Sequence, residues 1–578
     1  MNIQLYENKY DKKLSTIETI LVNRGIALED IPHFLNTTDN DIHSPLLLKN
    51  IEDGLKILIY HIKNNDKILI QIDCDCDGYC SSAILINFLY KLFPSFVINN
   101  VTYRLHEGKE HGLILETIPD DINLVIAPDS SSSDYDVHQK LAERGTDVLV
   151  LDHHQSDKES EFACVINNQI CDYPTKSLCG AGIVYKFCQY FDLVAESDLA
   201  NEFLDLVALA LCGDMMDQRD FETQHLIKKG LKNIQNDFLK AMCNKNAYSL
   251  GEEITPIGIA FYVVPYINAV IRMGSQEEKL ILFESMLDFK ATEEIPSTKR
   301  GCKGQTEMRV EQACRNCINI KKRQTDARDA SLNVIEQKIK NKNLLSNKIL
   351  LIKLSEEDNV NPNIRGLIAN QIMSKYQRPV MMLSLNEETN TWEGSCRGYG
   401  LDSFRDFLKI TGLTEYQAGH DNALGTGILN NNLNTFIQTS NKLLADFDFS
   451  PCYKVDFIYN GANEDFSQAI IDIARYKSIW GQEIGEPMVA IKNLKVTKDN
   501  LILMSRDKNP TLKITLDNGV SLIKFKSSEE EYENLYSDLG CVIIDIVGKC
   551  DINEWRGNIT PQIKIEDYSI VDRQDYYF

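Results

Sequence analysis

Between residues 67 and 217 short apolar runs alternate with stretches of helical period, the pattern of βαβ units around a mostly parallel sheet. Residues 67–72 read as a strand, 81–93 as a helix, and 122–127 and 147–151 as two further strands. In such sheets ligands sit beyond the carboxyl ends of the strands. Each of these three strands runs into an acidic residue directly or after one proline: Asp73, Asp129 and Asp152. Residues 299–343 have the period of a long polar helix or helical connector. A second, smaller α/β unit follows, with strands at 349–354 and 379–383, a helix at 366–376 and a glycine-rich turn at 419–425. From about residue 453 the texture changes to short β-rich runs at 488–491, 501–504, 512–516, 521–525, 541–547 and 562–565, a spacing that suggests a small OB-like barrel.

Composition bounds this picture. A chain of 578 residues is too long for one hydrophobic core. The pattern divides it into an N-terminal segment (1–50) packing on a catalytic α/β domain (51–298), a connector (299–343), a second α/β domain (344–447) and an OB-like domain (448–578). With 43% hydrophobic and 25% charged residues the chain is globular, so collagen-like and wholly disordered readings fall away. The net charge of -23 argues against a non-specific polyanion binder. Against that average, residues 299–343 hold 12 basic and five acidic side chains, a local basic island.

The first residues lack the apolar core of a signal peptide, and no run of about 18 uninterrupted apolar residues is found. No membrane span and a cytoplasmic location are therefore expected. The 16 scattered cysteines fit reduced thiols. Cys314 and Cys317 have metal-like spacing but too few companions for zinc, and read as two thiols on a helix face.

The chemistry concentrates in four segments. Asp73-Cys-Asp-Cys-Asp-Gly78 follows a strand and precedes a helix, and clustered carboxylates there suit a hard divalent cation. An EF-hand shares the D-x-D-x-D-G string, but its twelfth position is Ile84 here, where a bidentate Glu is needed. Asp129 and the run Asp152-His153-His154 follow two more strands, and Gly213-Asp214 closes an apolar helix. Such a convergence supports two-metal phosphoester hydrolysis, and the histidines favour Mn²⁺ somewhat over Mg²⁺. Asp77 reads as a turn residue or a support behind the ligands, and Asp217 as a support or a helix-end residue.

These segments resemble the DHH phosphoesterase superfamily, and within it the RecJ family of single-stranded-DNA exonucleases. The resemblance spans nearly the whole chain, through Phe34-Leu-Asn36, Leu178-Cys-Gly-Ala-Gly182, Arg365-Gly-Leu-Ile-Ala369, Gly394-Ser-Cys-Arg397, Ala418-Gly-His420 and Ile552-Asn-Glu-Trp-Arg-Gly557. It implies that Asp73 and Asp129 hold one metal, that Asp75, Asp129, His153 and Asp214 hold the other, and that His154 faces the scissile phosphate. It further implies that Arg104, Arg272, Ser395, Arg397, Gly419 and His420 grip the substrate. The implied activity is Mn²⁺- or Mg²⁺-dependent release of 5′-mononucleotides from the 5′ end of single-stranded DNA, in recombination and repair. A monomer, with a single-stranded-DNA-binding protein as partner, goes with it.

The chain departs from the family pattern in three places: Gln71-Ile72 stands where His-Gly is common, Ser130 follows Asp129, and Ala418 replaces a usual Gly. Rival readings are a relative acting on oligoribonucleotides or cyclic dinucleotides, which usually lacks the connector and barrel, and an inactive replication scaffold, which should have lost the acidic ligands. Trp555 is left between a base-stacking role and a place inside the barrel.

Overall fold

The computed structural model describes residues 1–7, 13–107, 110–505, 509–555 and 558–575. Contacts divide the chain into two compact units, one of residues 1–268, 279–314 and 452–578 and the other of 269–278 and 315–451.

In the first unit a five-stranded parallel sheet forms from β1 (Ile68–Ile72), β2 (Val101–Leu105), β3 (Leu124–Pro128), β4 (Asp147–Asp152) and β5 (Cys164–Asn167), in the order β2-β1-β3-β4-β5. Both β1 and β3 are buried along their whole length, which is why they read as unbroken apolar runs rather than alternating ones. Helix α1 (Cys76–Leu92) begins five residues before the periodic apolar pattern and packs on α2 (Gly180–Ala195) and α3 (Leu204–Gly213). Its early start has a local cause, for Asp75 caps it by accepting from the Gly78 N–H at 2.9 Å.

The N-terminal segment is shared between neighbours. Its first strand, Asn2–Leu5, pairs in parallel with Cys452–Val455. Ile20, Leu21 and Phe34 enter one apolar core with Ile470, Val489, Ile546 and Ile563, while Asp39 bonds His225 and Lys229.

The C-terminal sheet is mixed and seven-stranded, ordered Phe457–Asn460, Met488–Val496, Gly540–Trp555, Asn558–Asp575, Ser521–Lys524, Thr511–Thr515, Leu501–Met504. Two expected short strands, at 541–547 and 562–565, are parts of a hairpin with arms of 16 and 18 residues. Register shifts at Ile543/Ile544 and Val547/Gly548 break the apolar alternation, so only the buried halves were visible in the pattern. Tyr532 and Tyr568 pack on the domain core, and Phe525 is exposed. The side chain of Trp555, with Arg556 and Gly557, lies outside the described residues.

In the second unit the strands run Tyr416–His420, Ala423–Leu429, Thr391–Arg397, Val380–Asn386, Leu350–Leu354 across one sheet. Residues 419–425 are not a long glycine-rich turn. They are the tip of an antiparallel hairpin, with His420 opposite Ala423. Gly419, at φ 121°, occupies a conformation other residues avoid, and a Cβ there would come within 2.8 Å of the Ala423 carbonyl oxygen. Helix α4 (Arg309–Asn341) has 33 residues, and its C-terminal half buries Leu332, Ile335 and Ile339 on this unit's core. Cys314 and Cys317 are buried on the same helix.

One stretch, Pro256–Met273, is long and apolar enough on composition to cross a membrane, where none is expected from the sequence. It is two helices, Pro256–Tyr262 and Val264–Met273, and half of it is buried in the fold.

Candidate active site at the strand ends

The parallel sheet delivers its acidic residues to one edge. Asp73 leaves β1, Asp129 leaves β3 and Asp152 ends β4, while α1 supplies Asp77 and the residue after α3 supplies Asp214. Asp129 is held at φ 67°, a left-handed conformation that costs a non-glycine residue about 1–3 kcal/mol, and its N–H donates to the Leu151 carbonyl at 2.8 Å. That strain turns the carboxylate inward. Gly180, at the start of α2, makes room for it, since a Cβ at this position would lie 2.5 Å from Asp129 Cβ.

His153 is the hub. Its Nε2 lies 3.3 Å from Asp129 Oδ1, 3.5 Å from Asp214 Oδ2 and 3.8 Å from Asp77 Oδ2. A second grouping brings Asp73, Asp75 and Asp129 together, with ligand atoms within 4.8 Å of one another. Asp129 belongs to both. Asp77 is anchored as well as aimed, since its carboxylate accepts from the Gly180 and Ala181 N–H groups at 2.7 and 2.8 Å at the start of α2. These bonds suit the turn or supporting role that the sequence pattern suggests, and they leave Asp77 facing His153 at 3.8 Å. Its signal was the third position of D-x-D-x-D read onto the first turn of α1. Asp217 is clasped by Arg219 at 2.6 Å.

The electrostatics demand a counter-charge. Burial, then repulsion from Asp77, lifts Asp75 to about 6 and Asp214 to about 8, and the same causes drive Asp129 well above the carboxylate range. Asp129 Oδ1 is buried with no hydrogen-bond partner among the described residues. A buried acceptor of this kind costs free energy until something positive fills the space beside it. Oxygen ligands with one imidazole suit Mn²⁺ or Mg²⁺, so the donor set fits such cations.

His154 behaves differently from His153. Fully buried Asp152 accepts from its Nδ1 at 2.7 Å and also from the Ser132, His153 and His154 backbone N–H groups. That bond raises His154 to about 9, whereas burial lowers His153. Burial works to raise Asp152, but His154, His153 and Ser132 together lower it to about 2. The His154 ring is exposed at an open cleft of about 320 Å³, lined also by Asp73, Ser130, Ser132 and Asp134. Asp152 is thus a positioning residue that sequence spacing alone marked only as a strand end.

The expected substrate residues fall into two sets. Arg104, in the first unit, is committed to Glu110 at 2.7 Å and lies 3.4 Å from Gln71. Its guanidinium is part of the wall behind Asp73. The others belong to the second unit. Arg397 is largely buried, donates to the Cys396 carbonyl and is depressed by burial, with Arg272 close enough to add to the effect. Gly366 yields it space, since a Cβ there would lie 2.5 Å from its guanidinium. Ser395 lies on the same strand opposite Gly425, and Gly419 and His420 are exposed on the neighbouring hairpin.

A parallel sheet with carboxylates and a His-His pair at its strand ends defines a DHH-type phosphoesterase. Residues 67–211 match the model of the DHH family, N-terminal domain, and residues 462–567 that of the RecJ OB domain. The chain is 35% identical over 570 residues, 97% of either chain, to an SPbeta prophage-derived protein of Bacillus subtilis (strain 168) named for single-strand DNA-specific exonuclease activity, YorK. It is 24% identical to the single-stranded-DNA-specific exonuclease RecJ of the same organism, covering 96% of this chain and 68% of that one. The crystal structure of RecJ with Mn²⁺ from Thermus thermophilus superposes with a TM-score of 0.72 at 17% identity, over 99% of this chain and 80% of that one, a likeness of fold. The chain belongs to the RecJ family of single-strand-DNA-specific exonucleases.

Proposed function

We propose that this chain is a Mn²⁺- or Mg²⁺-dependent exonuclease that removes 5′-mononucleotides from the 5′ end of single-stranded DNA, acting in recombination or repair. The observation that carries this is the buried cluster around His153, in which Asp129 joins two carboxylate groupings and leaves an oxygen unpartnered among the described residues. Asp73 and Asp129 would hold one cation, and Asp75, Asp129, His153 and Asp214 the other, with Asp77 fixed behind them by Gly180, Ala181 and Ser81. Such cations supply a nucleophile at neutral pH and neutralise charge on the phosphoryl oxygens.

The chain's own groups do the rest. His154, kept protonated and oriented by Asp152, presents a donor to a phosphate oxygen at the cleft. Arg272 and Arg397 offer forked donors to the sugar-phosphate backbone or its 5′ end, with Ser395, Gly419 and His420 beside the same strand. Arg104 serves by holding the wall formed by Gln71 and Glu110. The C-terminal domain supports action on strands rather than on dinucleotides. A cytoplasmic location, a monomeric state and a single-stranded-DNA-binding protein as partner complete the proposal.

The experiment offers single-stranded DNA labelled at the 5′ or the 3′ end, duplex DNA and RNA, with Mn²⁺ or EDTA. Metal-dependent mononucleotide release from the 5′ end of single strands is the expected result. Release from the 3′ end, or activity in EDTA, would overturn the reading.

A further inference from the structure

Beside the carboxylate cluster, and outside the roles given above to its other members, stands a group of softer donors. Cys74 Sγ lies 3.0 Å from His111 Nδ1 and 3.6 Å from His111 Nε2. Asp73 Oδ1 lies 3.8 Å from His111 Nδ1 and 3.4 Å from His106 Nε2. Sulfur, imidazole and carboxylate atoms of Cys74, His111 and Asp73 all fall within 4.8 Å of one another. A hydrogen-bonded thiol and imidazole would account for the first contact alone. It does not account for Asp73, whose side chain is 8% exposed and whose Oδ1, aimed at the imidazoles, is buried with no hydrogen-bond partner among the described residues.

The spans are those of a ligand shell. Around a tetrahedral zinc, bonds of about 2.3 Å to sulfur and about 2.0 Å to nitrogen or oxygen separate S from N by ~3.5 Å and N from O by ~3.3 Å. The Cys74–His111 Nε2 separation of 3.6 Å matches the first of these, and Asp73 Oδ1, 3.8 Å from His111 Nδ1, has to close by a few tenths of an ångström to meet the second. Thiolate and imidazole donors select against Mg²⁺ and Mn²⁺, which prefer oxygen, so this group and the carboxylate cluster differ in the ion they favour.

We propose that Cys74, His111 and Asp73, backed by His106, form a separate site for a thiophilic divalent cation of the Zn²⁺ type, sharing the Asp73 carboxylate with the neighbouring cluster. Binding requires Cys74 to give up its proton to solvent as the metal–sulfur bond forms. The shared carboxylate makes occupancy of the soft site felt at the hard one.

The test is spectroscopic and independent of nuclease activity. The full chain, stripped with EDTA, kept reduced with a phosphine and held in excess Mg²⁺ to fill oxygen-ligand sites, is titrated with Co²⁺. The expected result is a thiolate-to-cobalt charge-transfer band that saturates at one Co²⁺ per chain and is bleached by Zn²⁺. The band should be absent in Cys74→Ser, and His111→Ala, at an exposed position, should weaken Co²⁺ binding by at least about 10- to 100-fold. No band in the wild-type chain, an equal band in Cys74→Ser, or unchanged affinity in His111→Ala would overturn the proposal.

Discussion

Asp152 Oδ1 and His154 Nδ1 lie 2.7 Å apart, with the carboxylate wholly buried and the ring open to the cleft. One consequence is a histidine that keeps its proton near neutral pH while its neighbour His153 is driven towards the neutral, ligating form.

Replacing Asp152 by Asn keeps the shape and removes the charge. We expect kcat to fall about 10²-fold and the alkaline limb of the pH–rate profile to move down from about pH 9. The pair's contribution to stability is bounded on both sides in pH. His154 is raised, so its part is present below pH ~6.5 and lost as pH rises through about 9. Asp152 is lowered, so its part is present above pH ~4 and lost as pH falls through about 2. An unmoved alkaline limb in the variant would remove His154 from the reaction.

Gly180→Ala tests the space around Asp129. A methyl group at this position meets the Asp129 side chain, and the surrounding backbone is fixed by the bonds from Gly180 and Ala181 to Asp77. Loss of about 1–3 kcal/mol in urea unfolding is expected, together with weaker Mn²⁺ binding by calorimetry. A variant with wild-type metal affinity would show that the close approach has no part in the site.

Metal-free protein should carry the repulsion among its carboxylates as a pH dependence. Asp75 and Asp214 are raised to about 6 and about 8, so the stability they contribute is present below pH ~4 and lost as pH rises through those values. In EDTA at pH 8, Asp214→Asn should therefore be more stable than the wild type by about 1 kcal/mol or more. With Mn²⁺ the order should reverse, as read by thermal unfolding. A less stable variant in EDTA would contradict the electrostatic account.

Arg397→Lys keeps the charge and loses the fork. Single-strand affinity should weaken by about tenfold, the cost of one charge-assisted bond of about 1.5 kcal/mol, in a filter-binding titration with Ca²⁺ to block cleavage. Unchanged affinity would leave Arg397 a buried structural group.

Much of this site was legible because parallel strands buried on both faces leave continuous apolar runs that end abruptly at Asp73, Asp129 and Asp152. Asp77 reads ambiguously in the sequence for a physical reason. One position into a helix, an acidic residue reads equally as a favourable charge at the N-terminus, and only the packing of α2 across it shows the second use. Asp152 hid behind the two histidines it orients. The long C-terminal hairpin is cut short in the sequence pattern because its bulges and half-buried stretches carry polar residues such as Asp545 and Asp551. Cys74 and His111 stand 37 residues apart in the chain, and no local spacing encodes their pairing.

The central claim is that Asp129 joins two cation positions in a nuclease that works from the 5′ end. Asp129→Asn suits the test because Asn tolerates the left-handed backbone at this position. With 5′-labelled single-stranded DNA and Mn²⁺, the wild type should release labelled mononucleotide, and the variant, with an unchanged circular dichroism spectrum, should be slower by at least about 10²-fold. Mononucleotide release by the variant at the wild-type rate would contradict the account.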